Sequence, residues 1–394
     1  MWYVAQIGAR EHYAAPRALW QRGVLGGLLT DFWVPPRHVM GRVPGGVRLR
    51  DRYHSDLAAA EVSAANLRFL GFEAWQRGRR RSGWPVIVDR NRLFQKTVIN
   101  ALTARSEDLR PPAAAEPHTI FAYSYAARDI FRWAKQRGWR TVLGQIDPGP
   151  EEERIVAAEH QRYQNLKSAW QPAPDEYWAA WREELALADR VIVNSEWSRE
   201  CLRREGCPAE KLEVVPLAYV AASSHGGPQA GHAKPTGEPL RILFLGQINL
   251  RKGIGRLLDA MRLLRDEPFE LTLAGPSEID PSAWADLPNV HWIGPVARSR
   301  VSQVYRSADV FILPTLSDGF ALTQLEAQAH GLPVIASPHC GVVVVPGVNG
   351  WILPDTTVVT ICQVLRGVRA QPNLKSGAAG TDFGLPDLAA RLLG

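Results

Sequence analysis

Two stretches in the C-terminal half of this 394-residue chain carry residue types that could hold a phosphorylated ligand. The first is LFLGQINLRKGI, residues 243–254. An apolar run ends at Gly246, a short loop carries Gln247, Arg251 and Lys252, and Gly253 and Gly255 lead into a helical pattern. A glycine at a strand end lets a phosphate approach the backbone, and adjacent cations neutralise its charge. Lys252 stands out because only seven of the 46 basic residues are lysines, and no other lysine lies between Lys234 and Lys375. The second stretch is PTLSDGFALTQLEAQAHGLPVIAS, residues 314–337, which follows the apolar run Val310–Leu313. Ser317, Asp318 and Gly319 form a turn there. The amides of Phe320, Ala321 and Leu322 would then point out of a helix N-terminus, where the dipole and free donors favour a diphosphate. Glu326 follows Asp318 by eight residues, about 12 Å at helical rise. That separation suits one carboxylate at a sugar and one at a ribose, with a diphosphate between them. Taken singly, each stretch has a plain alternative: a strand–loop–helix junction with solvent-facing bases, and a helix capped by Asp318 with Glu326 exposed.

Positioning these groups requires strands that end at one edge. In the N-terminal half, short apolar runs alternate with amphipathic stretches, the pattern of a parallel sheet with crossover helices. Strands are expected at 2–7, 119–123, 141–145, 190–193 and 212–215, with helices at about 15–22, 126–137, 151–167 and 195–205. Residues 221–239 (AASSHGGPQAGHAKPTGEP) lose all periodicity and read as a flexible connection. A second series follows, with strands at 241–245, 270–274, 290–293, 310–313 and 333–336. Helices are expected there at 255–264, 299–307, about 321–330 and 357–369. The expected organisation is an α/β chain of two doubly wound domains, 1–220 and 240–380, facing across a cleft, with a short closing helix in 381–394. Ligands of such sheets sit beyond the carboxyl ends of the strands.

The acid, Gly-Phe, the second acid after seven intervening residues, and the closing Gly-Leu-Pro-Val-Ile-Ala resemble the donor site of glycosyltransferase family 4, retaining enzymes of the GT-B fold. The resemblance extends to Gly246…Lys252-Gly253, Ala274-Gly275-Pro276, Ile293-Gly294-Pro295, Ser307-Ala308-Asp309-Val310 and Gly347-Val348-Asn349-Gly350. In the N-terminal half it rests on Val193–Ser198 and on Gly8. It implies transfer of a sugar from a UDP-, GDP- or ADP-sugar to a carbohydrate, lipid-linked or small-molecule acceptor, with no metal and no other cofactor. Lys252 would hold the donor phosphates, Asp318 the hydroxyls of the transferred sugar and Glu326 the ribose. The amides of Phe320, Ala321 and Leu322 would meet the distal phosphate, and 292–296, with Gly294, would lie near the base. Two positions depart from the family pattern. Gln247 stands where an arginine is common, so Arg251 would have to supply that charge. Asp318 replaces the more usual glutamate. A sugar-nucleotide binding or scaffold protein of the same fold, or a sugar-nucleotide epimerase, remains the alternative.

The acceptor would be met by residues after the N-terminal strands: Gly8, Arg10 and His12, then Tyr125, then Asp147 in GQIDPG. His12 could equally be structural, and Asp147 could serve the turn before Pro148. Eleven of the 14 tryptophans precede residue 220, available for stacking on sugar rings but mostly for packing. The four cysteines suit neither a disulfide framework nor a zinc site. The net charge of +6 comes from arginine usage, and a nucleic-acid partner is not expected. Residues 77–96 carry seven basic groups and one acid beside Trp84 and Val86–Val88. That segment reads either as a peripheral contact with an anionic membrane or as a solvated basic loop. Without a membrane-spanning run or a signal-peptide layout, the expected location is the cytoplasm, with that contact on the inner face of the membrane as the variant.

Overall fold

A computed structural model describes residues 1–36, 38, 40, 49, 51–105, 116–166, 168–219, 238–370 and 383–394. Two sheets organise the chain. The N-terminal sheet has seven strands in the order β3-β2-β1-β4-β5-β6-β7. They are β1 (Trp2–Gln6), β2 (Leu25–Thr30), β3 (Val62–Ala64), β4 (Thr119–Tyr123), β5 (Arg140–Gly144), β6 (Arg190–Val193) and β7 (Leu212–Val214). The C-terminal sheet has the order β10-β9-β8-β11-β12-β13. Its strands are β8 (Leu240–Leu245), β9 (Phe269–Ala274), β10 (Val290–Trp292), β11 (Val310–Leu313), β12 (Val334–Ala336) and β13 (Gly350–Ile352). Every pairing in both sheets is parallel.

A parallel sheet covered by helices on both faces needs strands that are apolar throughout. β4 (TIFAY) and β11 (VFIL) meet that demand and are buried at every position. The strand order reverses between β1 and β4 in one sheet and between β8 and β11 in the other. These are the switch points at which doubly wound sheets open a crevice.

The expected elements of the C-terminal half are present within a residue or two, and β13 is an addition. In the N-terminal half, β2, β3 and the helices Asn66–Gly78, Trp84–Thr103 and Asp175–Leu187 are additions. β2 (LGGLLT) carries a glycine pair that reads as a turn; a Cβ at Gly26 would strike the Tyr3 ring at 2.8 Å, so the glycine makes room for the neighbouring strand. The segment 77–96 is not a loop: it spans the end of one helix and most of the next. Three of its seven basic groups are ion-paired, Arg90 with the buried Asp31 (2.8 Å), Arg81 with Asp89 (3.0 Å) and Arg92 with Glu176 (3.0 Å). The connection expected at 221–239 lies almost wholly outside the described residues. The helix Leu385–Leu393 packs its Leu385, Leu388, Ala389 and Leu392 into the N-terminal core. Arg190 Nη1 donates to the Leu392 carbonyl at 2.9 Å.

The two halves touch along the helices Pro150–Arg162 and Ile254–Leu263. Arg256 makes a two-pronged contact with Glu159 (2.8 and 2.7 Å), whose side chain is 3% exposed, and Tyr163 Oη donates to Asp259 Oδ2 at 2.8 Å. No helix among the described residues is long and apolar enough to cross a membrane, and all four cysteines are buried and free.

Candidate functional site at the domain cleft

At the C-terminal switch point two loops are cross-tied. The β8 loop runs from Gly246 to Gly253 and the β11 loop from Pro314 to Gly319; the Leu316 amide donates to the Arg251 carbonyl at 2.9 Å. This brings Lys252, Arg251 and Asp318 together. Lys252 Nζ donates directly to Asp318 Oδ2, and Arg251 Nη1 lies 3.4 Å from the same oxygen. Burial pushes the Asp318 carboxyl up, but Lys252 and Arg251 outweigh it and hold the group below its ordinary value. Arg251 also reaches across the cleft, 3.5 Å from Glu152 Oε2 and 3.2 Å from the Ser317 carbonyl. Burial pushes Glu152 up to about 8, with Arg251 opposing and Asp147 and Asp318 adding to the rise. The charge that Gln247 lacks therefore has a neighbour in Arg251, already shared between two acids. Gln247 itself donates from Nε2 to Glu278 Oε1 at the exposed rim.

The turn after Asp318 corrects one expectation. The helix spans Thr323–Ala329, so Phe320, Ala321 and Leu322 precede it. Ala321 is left-handed (φ 67°), and the Phe320 amide already donates to Asp318 Oδ1 at 3.3 Å. The Phe320 ring is buried with Leu325 and Val343. Gly319 faces the N-terminal domain so closely that any side chain there would run into the Ile146 carbonyl. Glu326, half-buried, accepts from Tyr305 Oη at 2.9 Å. Gly294 (φ 74°) accepts from the Gly275 amide at 2.9 Å, beside the partly exposed Trp292 and Ile293.

The N-terminal candidates separate into two groups. The Gly8 amide donates to Asp31 Oδ1 at 2.8 Å, part of a buried knot with Arg90 and Arg52. Arg10 sits over the Tyr123 ring at 5.6 Å. His12 is the middle of three successive left-handed residues, Glu11 to Tyr13, at roughly 1 kcal/mol or more each. Burial first and Arg298 second lower the His12 pKa, with Glu326 opposing, so His12 faces the Glu326 end of the cleft. Tyr125 and Asp147 stand elsewhere. Tyr125 Oη donates to Asp147 Oδ1, which also accepts the Gly149 amide at 2.9 Å, so Asp147 does serve the turn. Tyr125 is left-handed (φ 76°), stacks on Tyr177 at 4.7 Å, and its amide donates to Glu184 at 2.6 Å. Glu184 takes two more amides, Ala127 and Arg128, at the start of the helix Arg128–Lys135. Burial nevertheless pushes it up to about 7.

Tyr125 and Asp147 open onto a cavity of about 280 Å³ between the domains, bounded on the other side by Gln247, Asn249, Leu250, Arg251 and Glu278. Trp84, Trp170, Tyr177 and Trp178 also line it. Sequence reasoning missed this wall, placing Trp84 instead in the basic segment. The Asp-Glu-Tyr-Trp-Ala-Ala-Trp run that opens Asp175–Leu187 was the available signal.

Residues 239–367 match the family model for group 1 glycosyl transferases. A D-inositol 3-phosphate glycosyltransferase of Xylanimonas cellulosilytica is 30% identical over 53% of this chain and 57% of its own length. The amylovoran biosynthesis glycosyltransferase AmsK of Erwinia amylovora is 28% identical over 41% of this chain and 42% of its own. The chain thus spans about half the length of the curated relatives it matches. Over its whole length it superposes on sucrose-phosphate synthase of Thermosynechococcus elongatus with a TM-score of 0.63 at 18% identity, covering 97% of that protein. The Anabaena protein HepE, solved with UDP-glucose, gives 0.58 at 14%, with 100% of this chain and 97% of HepE covered. The paired doubly wound sheets are the GT-B fold, and residues 239–367 of the C-terminal domain are similar to the group 1 glycosyl transferases.

Proposed function

We propose that the chain transfers a sugar, with retention, from a nucleotide-diphosphate donor to an acceptor hydroxyl. The observation that carries the reading is the buried meeting of Lys252, Arg251 and Asp318 at the C-terminal switch point, facing the Ile146–Asp147 strand end. Without donor, Lys252 and Asp318 satisfy each other. A diphosphate competes for Lys252 and frees Asp318 to accept hydroxyls of the sugar. The bond from the anomeric carbon to the diphosphate oxygen breaks, its electron pair leaving with the nucleotide. The acceptor oxygen bonds to that carbon on the same face, and its proton passes to the departing phosphate. Lys252 and the amides of Ala321 and Leu322 stabilise the charge that develops on the diphosphate. Glu326, beside His12 and Arg298, holds the ribose. These fixed positive groups do the work a cation would otherwise do, so the reaction is proposed to be metal-independent. The UDP-glucose bound by HepE supports a UDP-sugar among the possible donors.

A panel of UDP-, GDP- and ADP-sugars, assayed for hydrolysis and transfer with and without EDTA, tests the reading. One donor turned over, lost in Lys252→Ala and unchanged by EDTA, is expected. Donor binding with no turnover across varied acceptors sinks catalysis and leaves a sugar-nucleotide binding protein. Peripheral membrane contact is proposed through residues 77–96, where Ile87 is exposed and Arg79 and Arg81 lie over the neighbouring Trp75 ring. Flotation with anionic vesicles should then be salt-sensitive and lost in Trp75→Ala.

A further inference from the structure

The interdomain cavity differs in character from the donor edge it adjoins. Its N-terminal wall offers the rings of Trp84, Trp170, Tyr177 and Trp178, all partly exposed. Its acids come from both domains: Asp147, Glu152, Glu153 and Glu278. Among the described lining residues Arg251 is the sole permanent cation, and it is already engaged by Glu152 and Asp318. His160 stacks on Trp170 at 4.7 Å, and burial lowers its pKa, so it adds no positive charge at neutral pH. An anionic ligand would meet four acids, of which burial keeps Glu152 largely neutral at pH 7, and no cation among the lining residues that is not already paired. A polyhydroxylated ring meets what it needs, apolar C–H faces against aromatic rings and hydroxyls against carboxyl oxygens. Arg251 spans from Glu152 to Asp318, so the cavity opens beside the carboxylate assigned to the donor sugar.

We infer that this cavity is the acceptor subsite and that it takes a saccharide without anionic groups, so that a phosphorylated or uronic acceptor is disfavoured. The inference rests on the donor reading for the word acceptor, whereas the ligand class rests on the cavity alone. It also separates this chain from its relatives named for inositol 3-phosphate.

The test uses the full chain saturated with UDP. Cellobiose, maltose and chitobiose are compared with glucose 6-phosphate, glucuronic acid and inositol 3-phosphate by saturation-transfer NMR and tryptophan fluorescence. At least one neutral disaccharide should bind about tenfold more tightly than every anionic probe. Trp170→Ala should weaken that binding about tenfold. Glu278→Gln, at the exposed rim, keeps the test open if Trp170→Ala fails to fold, and should narrow the gap between neutral and anionic probes. Tighter binding of an anionic probe overturns the proposal, as does the absence of binding by all neutral probes or indifference to both substitutions. UDP affinity is measured separately by calorimetry. Its absence, together with absence of GDP and ADP binding, would sink the donor reading while leaving the cavity result to stand or fall by itself.

Discussion

Across the cleft, the two sheet edges are built of different materials. On the C-terminal side the groups come from two contiguous loops, and cations and a carboxylate meet within one buried cluster. On the N-terminal side the wall is aromatic and acidic, drawn from residues as far apart as Trp84 and Trp178. Small movements of charge decide what the first edge does, whereas shape and stacking decide the second. Substitutions at the first should therefore change turnover, and at the second the acceptor's KM.

The most damaging way to probe this contrast is Lys252→Ala. Loss of one preorganised group facing the departing diphosphate should lower kcat/KM by about 10²–10³, with folding judged intact by circular dichroism. Because Asp318 loses its main cation, its carboxyl should also titrate higher. Near-normal turnover in this variant would erase the distinction between the edges. Next in size is the tie that holds the edges in register. Glu159→Ala leaves the half-buried Arg256 with only Thr356 as partner. The expected cost is about 3 kcal/mol, read as a thermal shift of roughly 5–10 °C. Donor affinity should change little.

The pH dependence sharpens the contrast further. Burial raises Glu152 to about 8 and Glu11 and Glu184 each to about 7. An acid whose pKa is raised on folding favours the native state below its unfolded value and loses that contribution as pH rises through the folded one. Stability should therefore decline between about pH 4.5 and pH 8. Glu152→Gln, neutral throughout, should flatten the upper part of that decline and leave the part due to Glu11 and Glu184. A thermal-shift series across pH would measure it, and an unchanged slope would count against a Glu152 whose burial outweighs its contact with Arg251.

The same contrast explains what could be read beforehand. The β8 and β11 loops announce themselves because their functional groups are neighbours in sequence and their strands are continuous apolar runs. The N-terminal wall has no such local signature. Tyr125 and Asp147 were visible as strand-end residues. Trp84 sits in an arginine-rich segment, while Trp170 and Trp178 belong to a stretch whose partner helix lies elsewhere in the chain. The left-handed run Glu11–Tyr13 has no glycine to mark it. The shift of the helix start from Ala321 to Thr323 follows from another left-handed residue of the same kind. Tertiary contacts hold these backbones, and local propensity does not foresee them.

The smallest expected effect bears on the donor edge alone. Gln247 occupies the place where the family commonly has arginine, and it bonds to Glu278 at the rim. Gln247→Arg adds a cation facing the β8 loop, but Glu278 stands ready to pair with it, and exposed pairs of this kind are weak. If Arg251 already supplies the charge, the gain in donor affinity should be only about two- to fivefold. The double variant with Glu278→Gln should do slightly better, since the new guanidinium then has no competing acid. A gain of about a hundredfold, or about 2.7 kcal/mol, would instead mean that Arg251 is held by Glu152 and Asp318 too firmly to serve a phosphate. The cation at the donor edge would then belong to the acidic wall opposite, and the division between the two edges would run through Arg251 itself.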